Sequence, residues 1–155
     1  MIQKIVSGGQ TGVDRGALDA ALEAGFPCAG WCPPGRQAED GVIPARYPLQ
    51  CIEQGGYRQR TRRNVIDSDG TLIVYRSRLS GGTRLTLEFC VEQQKPFELI
   101  DAAGVSAQRA ADLLGDFIGK NTIRVLNVAG PRESGWPGAC AYTTELVRRC
   151  LNRSR

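Results

Sequence analysis

The sequence predicts an α/β fold, a Rossmann-like, doubly wound parallel sheet of about five strands with helices on both faces. Short apolar runs rich in β-branched residues alternate with amphipathic stretches of helical length, the pattern of a parallel sheet. Glycine is abundant, at 19 of 155 residues, and it gathers where predicted strands pass into predicted helices. The length fits one Rossmann-like domain over residues 1–155.

The first half of the chain contains two predicted strands, a helix and a long loop. The strands cover residues 2–7 and 27–32, and the helix between them runs from about 14 to 24. Residues 33–48 show no helical or strand periodicity, and a loop of this length in a compact domain is more often a functional lid than a linker. The predicted buried stripe of the helix is Ala17, Leu18, Ala21 and Leu22.

The second half begins with a polar helix at 56–67 and then alternates strand and helix three times. The predicted strands are 71–75, 97–101 and 123–128. The helices that follow them are 84–93, 106–118 and 138–151. Candidate core residues are Leu85, Leu87, Phe89 and Val91 in the first of these helices, and Ala110, Leu114 and Phe117 in the second, which Ser106 caps.

Composition excludes several classes of chemistry and of location. The chain has no histidine, which rules out a Ser-His-Asp or Cys-His nucleophile system and the commonest zinc sites. Its net charge of +4 is short of the clustered excess typical of a dedicated DNA-binding protein. No signal peptide and no apolar run of membrane-spanning length is present, so we expect a cytoplasmic protein, away from membranes, whose thiols are reduced, with packed or inert cysteines as the favoured interpretation.

Three predicted strand-to-helix junctions carry residues suited to binding an anion. Glycine lets a ligand approach the backbone, the following helix offers free N–H groups, and hydroxyl side chains add donors. Because such junctions lie at one edge of a parallel sheet, we expect all three to converge on one phosphate site. The candidate residues are Gly8, Gly9, Gln10, Thr11 and Gly12; Ser80, Gly81, Gly82 and Thr83; and Gly130, Pro131, Arg132 and Ser134.

Motifs in these junctions and between them resemble a known family. The run IVSGGQTGVDRGAL begins at residue 5, GR and AEDG lie in the long loop, GGT begins at residue 81, and NVAGPRES begins at residue 127. This set resembles the molybdenum-cofactor carrier family, also described as circularly permuted YpsA-like proteins, within a group that includes lysine-decarboxylase-like phosphoribohydrolases and the DNA-processing protein A core.

The resemblance implies a permuted sheet and a ligand. The unit that opens the domain in the larger group lies here at the C-terminus, so strand 123–128 is expected between strands 2–7 and 71–75. The implied ligand is molybdenum cofactor (molybdopterin), although a nucleotide fits the same motifs. Arg36, Glu39 and Asp40 in the long loop are added as candidate ligand contacts, with a solvated turn as the alternative for the two acidic residues.

The leading hypothesis is a binding protein for a small phosphate-bearing ligand, with molybdoenzymes as recipients of the cofactor and a homo-oligomer as the expected state. One alternative is an enzyme resembling nucleoside monophosphate phosphoribohydrolases, but those place a glutamate three residues after the threonine, where this chain has Thr86. Single-stranded nucleic-acid binding is a weaker alternative, because only 6% of residues are aromatic. Arg60, Arg62 and Arg63 are further candidates, of which at least one is expected to face solvent.

Overall fold

A computed structural model describes residues 1–154, and five of its strands form a parallel sheet. Two further pairs of short strands lie outside that sheet. In chain order the strands are β1 (Lys4–Val6), β2 (Cys28–Ala29), β3 (Trp31–Cys32), β4 (Gln37–Ala38), β5 (Gly41–Val42), β6 (Gln50–Cys51), β7 (Gly70–Tyr75), β8 (Phe97–Asp101) and β9 (Val125–Ala129).

The order of the five strands, β2-β1-β9-β7-β8, confirms the predicted neighbours of β9. On one side Leu126 of β9 stands opposite Ile5 of β1. On the other side Asn127 stands opposite Thr71 of β7. All four pairings are parallel, so the strands end at one edge, where β1, β7 and β9 each lead toward a helix.

Five α-helices accompany the sheet: α1 (Val13–Glu23), α2 (Tyr57–Ile66), α3 (Gly81–Glu92), α4 (Ala107–Asn121) and α5 (Ala139–Arg153). Helices α1, α4 and α5 share the main apolar core with the sheet. Helices α2 and α3 pack against each other around a separate cluster of Val65, Phe89 and Cys90. None of the helices in residues 1–154 is long and apolar enough to cross a membrane.

Helix α3 corrects two predictions. It begins at Gly81, three residues before the predicted start, so the glycine turn is the first turn of the helix. Its buried residues are Thr83, Thr86, Phe89 and Cys90, whereas the predicted core residue Val91 is 62% exposed. The predicted set had a spacing of two, which suits a strand and cannot keep residues on one helical face. Consequently Leu85 and Leu87 are only half-buried.

Helices α1 and α4 follow their predictions more closely. In α1, Leu22 is 38% exposed and is corrected from the predicted stripe, because it lies in the last turn beyond the packed residues. In α4, all three predicted core residues are buried. The Ser106 hydroxyl accepts a hydrogen bond from the backbone N–H of Arg109 at 3.1 Å, which confirms the predicted cap.

The predicted strand 27–32 is divided into two. Its first part, β2, pairs with β1, and its second part, β3, leaves the sheet to pair with β6. The break is at Gly30, whose φ of +151° brings the backbone so close to Ser7 that a Cβ would lie 1.8 Å from the Ser7 carbonyl oxygen. Only glycine allows this approach.

The long loop contains regular structure that its sequence did not predict. Strands β4 and β5 form an antiparallel hairpin, and a 3₁₀ turn at Pro34–Arg36 precedes it. Ile43 and Tyr47 from this segment are buried with Leu18 and Cys32 in a third apolar cluster. The segment is therefore anchored to α1 rather than extended over solvent.

Candidate ligand-binding site

The carboxyl edge of the sheet holds a cavity of about 460 Å³ between the three glycine junctions, α2 and α3. This volume lies in the range of small-molecule sites. The predicted residues that line the cavity come from all three junctions, and they are Gly8, Gln10, Ser80, Gly82, Thr83, Gly130, Pro131 and Arg132.

The first and third junctions pack directly against each other. The backbone N–H of Val13 donates to the carbonyl oxygen of Pro131 at 3.2 Å. The backbone N–H of Glu133 donates to the Thr11 hydroxyl at 3.2 Å. Gly12 makes this approach possible, because its φ is +83° and a Cβ there would lie 2.4 Å from the Pro131 carbonyl oxygen. Together the two junctions form one wall of the site.

The start of α3 lines the cavity from another side. Ser80 is the N-cap residue, and its carbonyl oxygen accepts from the backbone N–H of Thr83 at 3.2 Å. Within residues 1–154 the backbone N–H groups of Gly81 and Gly82 donate to no acceptor. A Cβ built at Gly82 would meet nothing within 4 Å, so the first turn of α3 borders open space. An exposed helix N-terminus of this kind favours a bound anion.

Positive charge predominates in the cavity. Four arginines line it, namely Arg60, Arg76, Arg78 and Arg132, against a single carboxylate, that of Asp14. Arg76 and Arg78 follow β7 directly and are exposed, whereas Arg60 comes from α2 and is only 7% exposed. The surplus of arginine matches an anionic ligand, since the guanidinium fork suits phosphate and carboxylate groups.

Arg60 combines burial with an unsatisfied donor. Its Nη1 donates to the Gly8 carbonyl oxygen at 2.7 Å and lies 3.6 Å from Asp14 Oδ2. Its Nε is buried and has no hydrogen-bond partner within residues 1–154. A buried charged donor without an acceptor is costly, so this atom identifies Arg60 as a residue whose bonding is incomplete without a ligand or water.

Asp14 is held inside the structure at the start of α1. It accepts a hydrogen bond from the backbone N–H of Gln10 at 3.2 Å. Burial raises the pKa of Asp14, and the charge of Arg60 opposes that rise. Asp14 lies in the first turn of α1 and is not its cap, because the N-cap residue is Gly12 and no side chain makes a cap bond. The Asp14 side chain adds the one acidic group in the cavity wall.

Aromatic side chains lie at two places in the cavity. Tyr57 is 40% exposed, and the guanidinium carbons of Arg60 and Arg132 lie 5.4 and 5.5 Å from the centre of its ring. Trp136 is buried and its ring packs against Tyr142 at a centroid distance of 5.4 Å. Tyr57 is therefore the aromatic ring that a ligand could reach.

Glu39, which was predicted to contact the ligand, is outside the cavity lining and binds the protein itself. Its carboxylate accepts from the Thr11 hydroxyl, from the Ser134 hydroxyl at 2.5 Å and from the Ser134 backbone N–H at 3.2 Å. These hydrogen bonds, those of Ser134 first, hold the pKa of Glu39 below its ordinary value. The β4–β5 hairpin is thereby tied to the first and third junctions.

Asp40 and Arg36 also make contacts within the protein. Asp40 forms a two-bond ion pair with Arg15, at 2.5 and 2.8 Å, and this pairing lowers the pKa of Asp40. Arg36 donates to four backbone carbonyl oxygens of the same loop, those of Ile43, Pro44, Tyr47 and Leu49. Of the predicted site residues, those outside the cavity lining are Gly9, Thr11, Gly12, Arg36, Glu39, Asp40, Gly81 and Ser134.

The cavity also contains residues that were not predicted as ligand contacts. Arg76 and Arg78 could have been found from their position directly after β7, at the same sheet edge as the glycine junctions. Most of the others lie in helices or strands, where the sequence offers little signal, whereas Gly135 and Trp136 lie in the segment between β9 and α5. The remaining additions are Asp14, Tyr57, Thr61, Asn64, Leu85, Thr86, Asn127, Val128, Ala129, Gly135 and Trp136.

Residues 5–151 match the model of the Circularly permutated YpsA SLOG family. The chain belongs to this family. A family match over nearly the whole chain agrees with the observed position of β9 between β1 and β7, because the strand at the end of the sequence lies at the middle of the sheet.

A solved structure is similar to this chain in sequence and in fold. It is the crystal structure at 1.45 Å resolution of a protein named "Putative molybdenum carrier protein" from Syntrophus aciditrophicus SB, with 44% sequence identity and a TM-score of 0.94. The match covers 97% of this chain and 95% of that one. No curated protein matches the chain.

Proposed function

We propose that this chain binds a small phosphate-bearing ligand of nucleotide or pterin type in the cavity described above, and that it carries molybdenum cofactor. The observation that carries the proposal is Arg60, a buried guanidinium whose Nε lacks an acceptor in a wall rich in arginine. A phosphate oxygen would supply the missing acceptor.

The start of α3 supports the phosphate part of the proposal. The free N–H groups of Gly81 and Gly82 and the Ser80 hydroxyl, which makes no cap bond, are donors without acceptors in residues 1–154. Phosphate binding at such a helix terminus uses both the N–H groups and the positive end of the helix dipole. Thr83 and Arg78 line the same space and add a hydroxyl and a charge.

Tyr57 and Arg132 support the ring part of the proposal. Arg132 is exposed and lies over the Tyr57 ring, so the two form an aromatic and cationic surface in the cavity. A planar heterocycle can stack on either side chain. The cavity volume of about 460 Å³ leaves room for a ring and a phosphate together.

The molybdenum part of the proposal comes from the name of the 44% identical relative. The residues that line the cavity include no cysteine and no histidine, so they offer no soft ligand for a metal. We therefore propose that the chain holds the cofactor through its phosphate and its ring, while the metal stays on the pterin. Molybdoenzymes would receive the cofactor.

The carboxylates of the site favour a carrier over a phosphoribohydrolase. The position of the expected glutamate is Thr86, whose hydroxyl donates to the Gly82 carbonyl oxygen at 3.0 Å. Glu88, the nearest acidic residue in α3, is exposed and lies 3.7 Å from Arg84. Asp14 is engaged by Arg60 and the backbone, which leaves no free carboxylate in the described wall to activate water.

Calorimetric titration with AMP, ADP-ribose, NAD and molybdenum cofactor tests this function. Two substitutions of Gly82 make the test specific to the start of α3. A side chain at this position meets no protein atom within 4 Å, so neither substitution causes a clash. Gly82→Asp places a negative charge in the first turn of α3, where it stabilises the helix and repels a phosphate. We expect it to weaken binding at least tenfold, and Gly82→Ala to stay within about threefold of wild type.

Two results would overturn the proposal. One is that none of the four compounds binds, and the other is that Gly82→Asp binds them as tightly as Gly82→Ala does. Release of free adenine from AMP by the wild-type chain, measured in the same samples by chromatography, would instead favour the hydrolase. Tighter binding of the molybdenum cofactor than of AMP supports the carrier, and the reverse supports a nucleotide-binding protein.

A further inference from the structure

Two cysteines lie side by side at the base of the long loop. Cys32 in β3 and Cys51 in β6 stand directly opposite each other in a parallel pairing. Neighbouring strands are separated by about 4.7–4.9 Å, which falls inside the Cα separation that disulfides span. The two sulfur atoms are 3.5 Å apart, and all six cysteines are free thiols. Rotation of the side chains alone could bring the sulfurs to bonding distance.

The two thiols differ in access. Cys32 is completely buried, whereas Cys51 is exposed, so the packed alternative holds for Cys32 and not for Cys51. Cys51 borders a second cavity of about 430 Å³, away from the proposed ligand site, whose charged lining residues are Glu53, Arg62 and Arg63. A small oxidant can therefore reach Cys51 from solvent, while the Cys32 sulfur is buried and lies against the Cys51 sulfur.

The geometry points to a reversible dithiol–disulfide modification site formed by Cys51 and Cys32, with Cys51 as the thiol that reacts first with a peroxide. The Cys51 thiol loses its proton, and its sulfur attacks one oxygen of the peroxide. The O–O bond breaks, Cys51 becomes a sulfenic acid, and the departing hydroxide takes up the proton released by the thiol and leaves as water. The Cys32 sulfur then attacks the Cys51 sulfur, and the S–O bond breaks. The Cys32 proton joins the departing hydroxide, so two thiols and one hydrogen peroxide give one disulfide and two waters.

Cys32 is the thiol less open to the peroxide, and its contact with the Cys51 sulfur places it to act second. Burial first, and then the neighbouring Cys51 sulfur, raises the pKa of Cys32 to about 11. Cys32 therefore keeps its proton at neutral pH and is a poor target for the oxidant. Within residues 1–154, none of the other four cysteines has a second cysteine sulfur in contact with its own.

The disulfide would close the segment that carries the β4–β5 hairpin. The two cysteines flank residues 33–50, which include Glu39 and its bonds to Thr11 and Ser134. A cross-link across a loop of this length reduces the freedom of the unfolded chain. We expect the oxidised protein to melt about 5 °C higher than the reduced protein.

Treatment of the whole chain with a small excess of hydrogen peroxide tests the modification site. We expect a mass loss of about two hydrogens, a Cys32–Cys51 cross-link in the peptide map, and full reversal by dithiothreitol. Cys51→Ser should abolish the cross-link and leave Cys32 reduced. In the Cys32→Ser variant, oxidation should stop at the sulfenic acid of Cys51, which a dimedone label detects.

The control is Cys28→Ser, which removes a half-buried thiol outside the pair and should leave the cross-link intact. Three results would overturn the inference: overoxidation of Cys51 in the wild type without a cross-link, a cross-link between two chains through Cys51, and formation of the 2 Da loss in Cys51→Ser. A wild-type cross-link without any rise in melting temperature would contradict the role assigned to the loop. None of these outcomes depends on which ligand the main cavity binds.

Discussion

Arg60 Nη1 lies 3.6 Å from Asp14 Oδ2 in the wall of the main cavity, and each side chain is 9% exposed. The same nitrogen donates to the Gly8 carbonyl oxygen, so one guanidinium connects α2 to the first junction and to the start of α1. A buried pair of this kind adds little net stability when both partners are present, but loss of one partner leaves an uncompensated charge. Because Arg60 contacts both Gly8 and Asp14, we infer that the pair holds α2 in place against the first junction and the start of α1.

Arg60→Met tests the positional role of the arginine. The variant keeps an apolar stem of similar length but leaves the Asp14 carboxylate buried without its cation. We expect the free energy of unfolding to fall by about 3–5 kcal/mol, measured by urea denaturation at pH 7. Arg62→Met is the matched control in the same helix, because Arg62 is exposed and should change stability by less than about 0.5 kcal/mol. Equal losses in both variants would contradict this account.

Asp14→Asn removes the other partner and changes the response to pH. Burial raises the pKa of Asp14 above its ordinary value of 3.8. The carboxyl group therefore holds its proton more tightly in the folded protein than in the unfolded chain. The contribution of Asp14 to stability is therefore present at low pH and is lost as the pH rises from about 4 through the raised value. We expect Asp14→Asn to flatten this decline, measured by urea denaturation across pH 3–8.

The double variant Asp14→Asn with Arg60→Met distinguishes a coupled pair from two independent residues. Its loss should be smaller than the sum of the two single losses, because removal of both partners leaves no unpaired charge. An additive result, within about 0.5 kcal/mol, would show that the two side chains act separately.

Gly12→Ala should destabilise the contact between the first and third junctions. A Cβ at Gly12 would lie 2.4 Å from the Pro131 carbonyl oxygen, at a φ of +83° that alanine rarely adopts. We expect a loss above about 2 kcal/mol in the free energy of unfolding. Gly115→Ala in α4 is the control, because its Cβ meets nothing within 4 Å, and it should gain about 0.5–1 kcal/mol. A neutral Gly12→Ala would contradict the close approach.

The sequence was sufficient for the two neighbours of β9 and for the meeting of the three junctions. The meeting of the junctions follows from the rule that junctions of parallel strands lie at one edge, whereas the neighbours of β9 were predicted from the family resemblance, which implied a permuted unit that keeps its neighbours. It was insufficient for the roles of Glu39 and Arg60. Glu39 bonds Ser134, 95 positions away, and Arg60 donates to Gly8, 52 positions away. Contacts at such separations depend on packing that periodicity does not encode.

The prediction that residues 33–48 lack regular structure was wrong for a related reason. The short strands of this loop, each of two residues, are below the length at which alternation can be recognised. Arg36 organises the loop by donating to four of its carbonyl oxygens, a role that an isolated arginine in a sequence does not reveal. The role of Tyr57 was also not predictable, because the sequence places it only near the start of a polar helix predicted at 56–67.

Glu39→Gln should loosen the β4–β5 hairpin. Hydrogen bonds from Ser134 and Thr11 hold the pKa of Glu39 below its ordinary 4.5, so its contribution is present above that value and is lost as the pH falls through the lowered pKa. At pH 7 we expect hydrogen exchange in residues 37–42 to accelerate about fivefold, since the carboxylate is exposed and its bonds are correspondingly weak. Glu53→Gln, at another exposed site, should leave these rates unchanged.

Tyr57→Ala separates the recognition of a ring from the recognition of a phosphate in the proposed site. The Tyr57 ring is 40% exposed and borders the cavity beside Arg132, whereas the proposed anion donors are Arg60 and the start of α3. We expect calorimetry to show about a tenfold loss of affinity for ring-bearing ligands such as AMP and almost none for inorganic pyrophosphate. Tyr57→Phe keeps the ring and should bind both compounds like the wild type. An equal loss for AMP and pyrophosphate in Tyr57→Ala would mean that Tyr57 supports the cavity wall and does not touch the ligand.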